Sequence, residues 1–120
     1  DHAWLQRMVL MELADWLLVS LPQNAQILDA GCGTGLFARY ASQRRPDLKI
    51  IQLDAAIGMC RKATHPNYPS IQADIKNIPL PHGAMDAVFC SLVIQWAGDG
   101  LPSFLSELMR VLKPGGQLFI

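Results

Sequence analysis

The run Ile27-Leu28-Asp29-Ala30-Gly31-Cys32-Gly33-Thr34-Gly35 ends a short apolar stretch in a carboxylate and passes directly into glycine at alternate positions. It is answered by Leu53-Asp54 at the end of the next apolar stretch. This order suits a nucleoside-containing cofactor bound at the carboxyl edge of a parallel sheet. Gly31, Gly33 and Gly35 allow a tight turn and a close approach of backbone to ligand. The helix beginning near Gly35 turns unpaired amides and a partial positive charge toward that ligand, which welcomes a phosphate or a carboxylate. The dinucleotide fingerprint sets its third glycine one residue later, where this chain has Leu36.

Asp54 follows the glycine run at the interval where a carboxylate meets a ribose. It would accept from both the 2′- and 3′-hydroxyls; the alternative is a capping Asp ahead of a helix at Ile57. Asp74 ends the third strand on the same edge, where it would accept the exocyclic amine of adenine while the Ile75 amide donates to the ring. Its alternative is a turn-forming Asp. His82 reads as a solvated histidine in a Pro-Gly loop, and His2 and His65 as terminal and turn-bound. Cys32, Cys60 and Cys90 lack metal-site spacing; they read as small buried residues in a reducing cytosol, and no metal site is expected.

The elements that would position these groups alternate between strand and helix. Residues 3 to 20 read as a helix, with Trp4, Leu5, Met8, Val9, Met11, Trp16 and Leu17 asking for burial on more than one face. Gln26 to Ala30 reads as a strand, 35 to 45 as a helix with Leu36, Phe37, Tyr40 and Ala41 on one stripe, and Leu48 to Leu53 as a second strand. A helix from Ile57 to Ala63, a turn over 65–69, a strand Ser70 to Ala73 and a strand Met85 to Ser91 follow. Leu101, Phe104, Leu105, Leu108, Met109 and Leu112 have clear helical spacing. Pro114-Gly115-Gly116 closes that helix, and Gln117 to Ile120 begins a fifth strand. Met8, Met11, Met59, Met85 and Met109 read as core fillers. The order implies a doubly wound parallel sheet with right-handed crossovers.

At 120 residues and 51% hydrophobic, the chain has the size and apolar content of one domain with a real core. Ten basic residues balance ten acidic ones, so no global field steers it to nucleic acid or an anionic membrane. Arg39, Arg44, Arg45 and Lys49 read as a solvated helix face, since no aromatics interleave with them. No apolar run approaches the roughly 18 residues of a membrane span. The expected partners are therefore neither nucleic acid nor membrane, and the expected location is the cytoplasm. Ending on an apolar strand would leave an exposed edge, which suggests a fragment.

These features resemble the class I S-adenosylmethionine (SAM)-dependent methyltransferases along nearly the whole chain. Leu28 to Gly35 is similar to that family's first motif, Leu53-Asp54 to its ribose-binding acidic position, Ala73-Asp74-Ile75 to its adenine motif, and Leu112 to Gly116 to the segment before its fifth strand. The resemblance implies a Rossmann-like α/β fold, here truncated after the fifth strand. It implies that Asp29, Ala30, Gly31, Cys32 and Gly33 hold the methionine end of SAM, Asp54 the ribose, and Asp74 and Ile75 the adenine. Cys90, Ser91 and Leu92 would line the sulfonium, and Gly35, Ala55 and Met59 complete the implied cofactor set. A closer resemblance, to the malonyl-acyl-carrier-protein O-methyltransferases of biotin synthesis, rests on His2-Ala3, Leu5-Gln6-Arg7, Gly58-Met59 and Ser91 to Trp96.

That resemblance implies an acyl-carrier protein as acceptor; a small molecule or RNA acceptor, or a non-catalytic SAM-binding module, are the alternatives. A nucleotide-binding oxidoreductase is disfavoured by Leu36 and by Lys113 to Gly116. Methyl transfer to a carboxylate needs alignment more than side-chain chemistry, so no catalytic residue is assigned. Trp96 is the aromatic best placed for the substrate side, with core packing as its alternative. The acceptor and the oligomeric state are not legible in these residues.

Overall fold

A computed structural model describes residue 12, residues 14–90 and residues 101–119. The expectations placed on 1–11, 13, 91–100 and 120 lie outside the described residues; they include the start of the first helix, Ser91, Leu92 and Trp96.

Five parallel strands form one sheet in the order β3-β2-β1-β4-β5. They are β1 (Gln26–Ala30), β2 (Lys49–Asp54), β3 (Ser70–Gln72), β4 (Met85–Phe89) and β5 (Leu112–Phe119). Helix α1 covers residues 14–20, α2 Leu36–Arg44, α3 Ile57–Lys62 and α4 Leu101–Val111. Register pairs Asp29 with Gln52 and Phe89, and Asp54 with Gln72. The strand ends carrying Ala30, Asp54, Gln72 and Phe89 thus line up along one edge. The order reverses between β1 and β4, the crevice where open α/β sheets take their ligands.

Both faces of the sheet are covered, which is why its strands read as nearly continuous apolar runs. On one face Ile27, Ile50, Ala87 and Phe89 meet Leu17, Leu18 and Leu21 from the α1 side and Phe37, Ala38 and Ala41 of α2. Phe37 stacks on Phe89 with ring centroids 4.3 Å apart, tying α2 to the centre of the sheet. On the other face Leu28, Leu53, Met85 and Val88 meet Phe104, Leu108 and Val111 of α4.

Three expectations are corrected. Trp16 is 77% exposed and Val19 88%, because among the described residues α1 buries only the side bearing Ala14, Leu17 and Leu18. Met109, at 61% exposed, and Met59 are not core fillers, whereas Met85 is fully buried. The fifth strand pairs from Leu112 onward rather than from Gln117. Met85 pairs with Leu112 and Ala87 with Gln117, so Lys113 to Gly116 bulge out of the ladder instead of preceding it.

A fourth expectation is corrected at Arg45: rather than forming part of a solvated helix face, its side chain is half-buried and ties down the end of α1. Its guanidinium donates to the carbonyls of Leu18, Leu21 and Pro22 and pairs with Asp47 through two nitrogens. The Leu18 carbonyl is among those the helix terminus leaves without partners, and Leu21 and Pro22 follow directly after the helix. Asp47 also accepts the Asn24 amide at 2.8 Å. Arg45 first, and this amide second, hold the Asp47 carboxyl well below the usual carboxylate range.

Candidate cofactor site

The glycine loop turns over the end of β2. The amides of Gly31 and Cys32 both donate to the Leu53 carbonyl, at 2.7 and 2.9 Å. The Gly33 amide donates to Asp54 Oδ2 at 3.0 Å, and Asp54 Oδ1 accepts the Ala56 amide at 2.9 Å. Asp54 is not the cap of α3; that position belongs to Ala56. Its carboxylate instead bridges the glycine loop and the start of α3. Each oxygen keeps acceptor capacity after these bonds, so hydroxyl donors can still be taken.

Two of the loop glycines have different physical reasons. Gly33 sits at φ +56° and a Cβ there would meet nothing within 4 Å, so its side is open. Gly35 sits at φ +86°, and a Cβ there would stand 3.0 Å from Ala63 Cα and 3.0 Å from Gln52 Oε1. Gly35 is buried and its amide donates to the Cys32 carbonyl at 3.0 Å. Packing of the α2 start against the end of α3 explains this glycine without a ligand. Gln52 completes that junction by donating from Nε2 to the Ala63 carbonyl at 2.7 Å.

Asp29 lies buried near the end of β1, and among the described residues its Oδ2 has no hydrogen-bond partner. Burial first, and the nearby Asp54 charge second, raise its pKa to about 7. Such an orphaned acceptor asks for a donor, and a cationic one best of all. The Cys32 thiol, raised to about 12 chiefly by burial and then by Asp29 and Asp54, stays protonated and is no nucleophile at neutral pH.

Asp74 follows β3 and is exposed. Its Oδ1 accepts the Lys76 amide at 2.9 Å and its carbonyl accepts the Asn77 amide at 2.9 Å, so it does form a turn. Oδ2 has no protein partner among the described residues. Ala73 donates its amide to the Asp54 carbonyl at 3.0 Å, which sets Asp74 and Ile75 beside the Asp54 edge. Ala55 and Met59 are exposed, and the Gln72 side chain donates to the Ala55 carbonyl. Cys90 is buried just past β4, with its amide on the Phe119 carbonyl at 2.8 Å. His82 is exposed in its loop, as its sequence context predicts.

The structure therefore gathers Asp29, Gly31, Gly33, Asp54, Ala55 and Asp74, from three strand ends, along one rim. The residue pattern did not single out Gln52, Glu107 or Arg110. The first had a signal, a glutamine inside the buried run Ile50-Ile51-Gln52-Leu53.

This architecture is that of the Rossmann-like class I methyltransferases. A SAM-dependent methyltransferase of Aquifex aeolicus superposes with a TM-score of 0.71 at 26% identity, over 91% of this chain and 58% of that one. A TehB-like SAM-dependent methyltransferase of Corynebacterium glutamicum gives 0.77 at 23% identity, over 88% and 59%. The chain belongs to the methyltransferase-domain family, whose family model matches residues 28–120. SAM is the cofactor that this membership implies. The malonyl-[acyl-carrier protein] O-methyltransferase of Serratia marcescens is 48% identical over 96 residues, covering 76% of this chain and 35% of that protein. The biotin biosynthesis bifunctional protein BioHC of Cellvibrio japonicus is 39% identical over 121 residues, covering 98% and 23%. The chain spans less than half the length of these curated relatives. No helix among the described residues is long and apolar enough to cross a membrane.

Proposed function

We propose that this chain is the cofactor-binding part of a SAM-dependent methyltransferase that esterifies the free carboxylate of malonyl-acyl-carrier protein. The observation that carries the cofactor assignment is the unpartnered, buried Asp29 Oδ2 beside a glycine loop held by Asp54. A buried carboxylate oxygen without a donor among the described residues suits the ammonium of the methionine moiety, and the backbone at Gly33 leaves an open side for its approach. Asp54 accepts the ribose hydroxyls. Asp74 Oδ2 accepts the adenine amine, and the Ile75 amide donates to the ring. Ala55 and Met59 lie against the nucleoside, and Cys90, Ser91 and Leu92 line the reacting end. Gly35 serves by packing the loop onto α3.

When bound, SAM supplies an already activated methyl group. The acceptor carboxylate is ionised at neutral pH and needs no base. The chain's task is to hold donor and acceptor in line, an alignment worth about 7–11 kcal/mol of barrier in well-oriented systems. The acyl-carrier-protein acceptor rests on the sequence similarity to proteins of that name. Titration calorimetry with S-adenosylhomocysteine against NAD tests the cofactor: binding of the first and not the second is expected, and the reverse refutes the reading. Methyl transfer from labelled SAM to malonyl-acyl-carrier protein, compared with free small carboxylic acids, tests the acceptor.

A further inference from the structure

The loop 73–84 between β3 and β4 is held from outside by two side chains of α4. Glu107 Oε2 accepts the Ile78 amide at 2.6 Å. Arg110 Nη2 donates to the Ile78 carbonyl at 2.7 Å, and Nη1 to the Leu80 carbonyl at 2.8 Å. The two side chains are themselves joined twice, Nε to Oε1 at 2.7 Å and Nη2 to Oε2 at 3.0 Å. Both backbone groups of Ile78 are therefore satisfied by one ion pair three residues apart on a single helix. The Arg110 carbonyl adds a fourth tie, accepting the Gly83 amide at 2.9 Å.

This is an expensive arrangement for a loop that only needs to connect two strands. Two charged side chains are about four-fifths withdrawn from water, with side-chain exposures of 23% and 18%. The guanidinium's five forked donors let Arg110 take the Glu107 carboxylate through two nitrogens and two carbonyls as well, four bonds where a lysine has only three donors on one atom. Arg110 first, then the Ile78 amide, hold the Glu107 carboxyl below its usual range, so the pair stays charged throughout the neutral range.

The loop segment so fixed leads straight back to Asp74. Ile78 is buried in the core; the Asn77 amide donates to the Asp74 carbonyl and the Lys76 amide to its Oδ1. At the other end Ala73 is tied to the Asp54 carbonyl at 3.0 Å. Residues 74–77 are thus a hydrogen-bonded turn held between two anchors, β2 on one side and the α4 ion pair on the other. Among the described residues no further hydrogen bond holds the exposed Asp74 or Ile75, and Ile75 packs against the core cluster that contains Ile78.

We propose that Glu107 and Arg110 are positioning residues for base recognition, aiming the Asp74 carboxylate and the Ile75 amide from across α4. The inference rests on the assignment of adenine to Asp74 and Ile75 made above. It gives α4 a role in cofactor selectivity although neither side chain touches the cofactor. A loop released from the clamp keeps its turn at Asp74 but loses the fixed orientation of that turn, so discrimination of the base edge suffers before overall affinity does.

The test measures binding of S-adenosylhomocysteine and of S-inosylhomocysteine, whose base carries a carbonyl where adenine carries its amine. The native protein should prefer the adenine form by about tenfold or more, the value of one charge-assisted hydrogen bond. Arg110→Met and Glu107→Gln should each bring that ratio below about threefold while affinity for the inosine form changes little. Arg110→Lys should fall between. Asp74→Ala is the control for the underlying reading. If it leaves the ratio unchanged, the adenine assignment is wrong and the clamp's role falls with it. If Asp74→Ala abolishes the preference while folded Arg110→Met and Glu107→Gln retain it, the clamp is only structural and the proposal is overturned. Folding is checked by near-ultraviolet circular dichroism; Glu107→Gln, which keeps shape and one acceptor, carries the test if Arg110→Met does not fold.

Discussion

Replacing Gly33 and Gly35 by alanine, one at a time, separates two roles within a single loop. Both glycines have positive φ, +56° and +86°, so each alanine carries the left-handed penalty of about 1–2 kcal/mol. At Gly33 nothing more is expected, because the new methyl enters open space. At Gly35 the methyl would stand 3.0 Å from Ala63 Cα, a backbone atom that cannot rotate away, and 3.2 Å from Ala63 Cβ. Overpacking of this kind adds about 1–3 kcal/mol. Gly35→Ala should therefore be less stable than Gly33→Ala by about 1–3 kcal/mol, or roughly 4 °C or more in Tm for a domain of this size. Urea denaturation and calorimetry of the two variants provide the comparison. Binding should show the opposite order. Gly33→Ala should lower affinity for S-adenosylhomocysteine by at least about tenfold, since a Cβ intrudes where backbone and ligand approach. Folded Gly35→Ala should bind within about threefold of the parent. Equal stability losses would refute the close-packing account of Gly35, and unimpaired binding by Gly33→Ala would refute the ligand-facing account of Gly33.

Asp54→Ala should weaken S-adenosylhomocysteine binding by about 1.5–3 kcal/mol, read by titration calorimetry, and leave the amides of Gly33 and Ala56 more open to hydrogen exchange. Because the folded protein raises the Asp29 pKa to about 7, folding is opposed increasingly as pH rises from about 4 to 7 and by a constant amount above. Asp29→Asn should accordingly stabilise the unliganded protein, by roughly 4 kcal/mol at most, with a gain larger at pH 8 than at pH 5 in urea denaturation. The Asp47 shift has the opposite sign, so its contribution is present at neutral pH and drains away below about pH 4. Arg45→Met should lower Tm by several degrees at pH 7 and by less at pH 3, the two scans providing the check.

Strand positions were legible because a parallel sheet covered on both faces needs short apolar runs, and Gln26 to Ala30 and Met85 to Phe89 supply them. The cofactor rim was legible for a related reason. Glycines and strand-end carboxylates also serve turns, caps and close packing, as at Gly35, so it is their order and spacing together that makes Asp29, Gly33 and Asp54 stand out before any coordinates. What escaped depends on contacts between distant parts of the chain. The hydrogen bond from Arg110 to Ile78 spans 32 residues and that from Arg45 to Leu18 spans 27, and neither leaves a periodic trace. Exposure of Trp16 and Met109 escaped because apolar spacing names a face without saying whether a neighbour covers it. The early start of β5 escaped because Pro114, Gly115 and Gly116 read as punctuation, and only pairing with Met85 and Ala87 reveals a bulge within a strand.

Two carboxylates at one glycine loop also bear on which cofactor the site selects. In a dinucleotide fold the loop amides receive a pyrophosphate, which is anionic. Here the Gly33 amide is already given to Asp54, and the buried Asp29 stands at the entry to the same loop with an oxygen left over. A pyrophosphate placed there would meet two carboxylates and would have to displace one from its amide. A ligand offering an ammonium and a pair of ribose hydroxyls meets the same groups as partners: the ammonium relieves the buried charge that Asp54 makes harder to sustain, and the hydroxyls use the acceptor capacity that Asp54 retains. Burial first, and the Asp54 charge second, raise the Asp29 pKa to about 7. Binding of a cationic ligand should therefore expel a proton at pH 7, a quantity that calorimetry in buffers of different ionisation enthalpy reads directly. On the proposed assignment, the electrostatic arrangement at Asp29 would favour a SAM-like ligand over a dinucleotide, on a glycine turn of the kind both folds use.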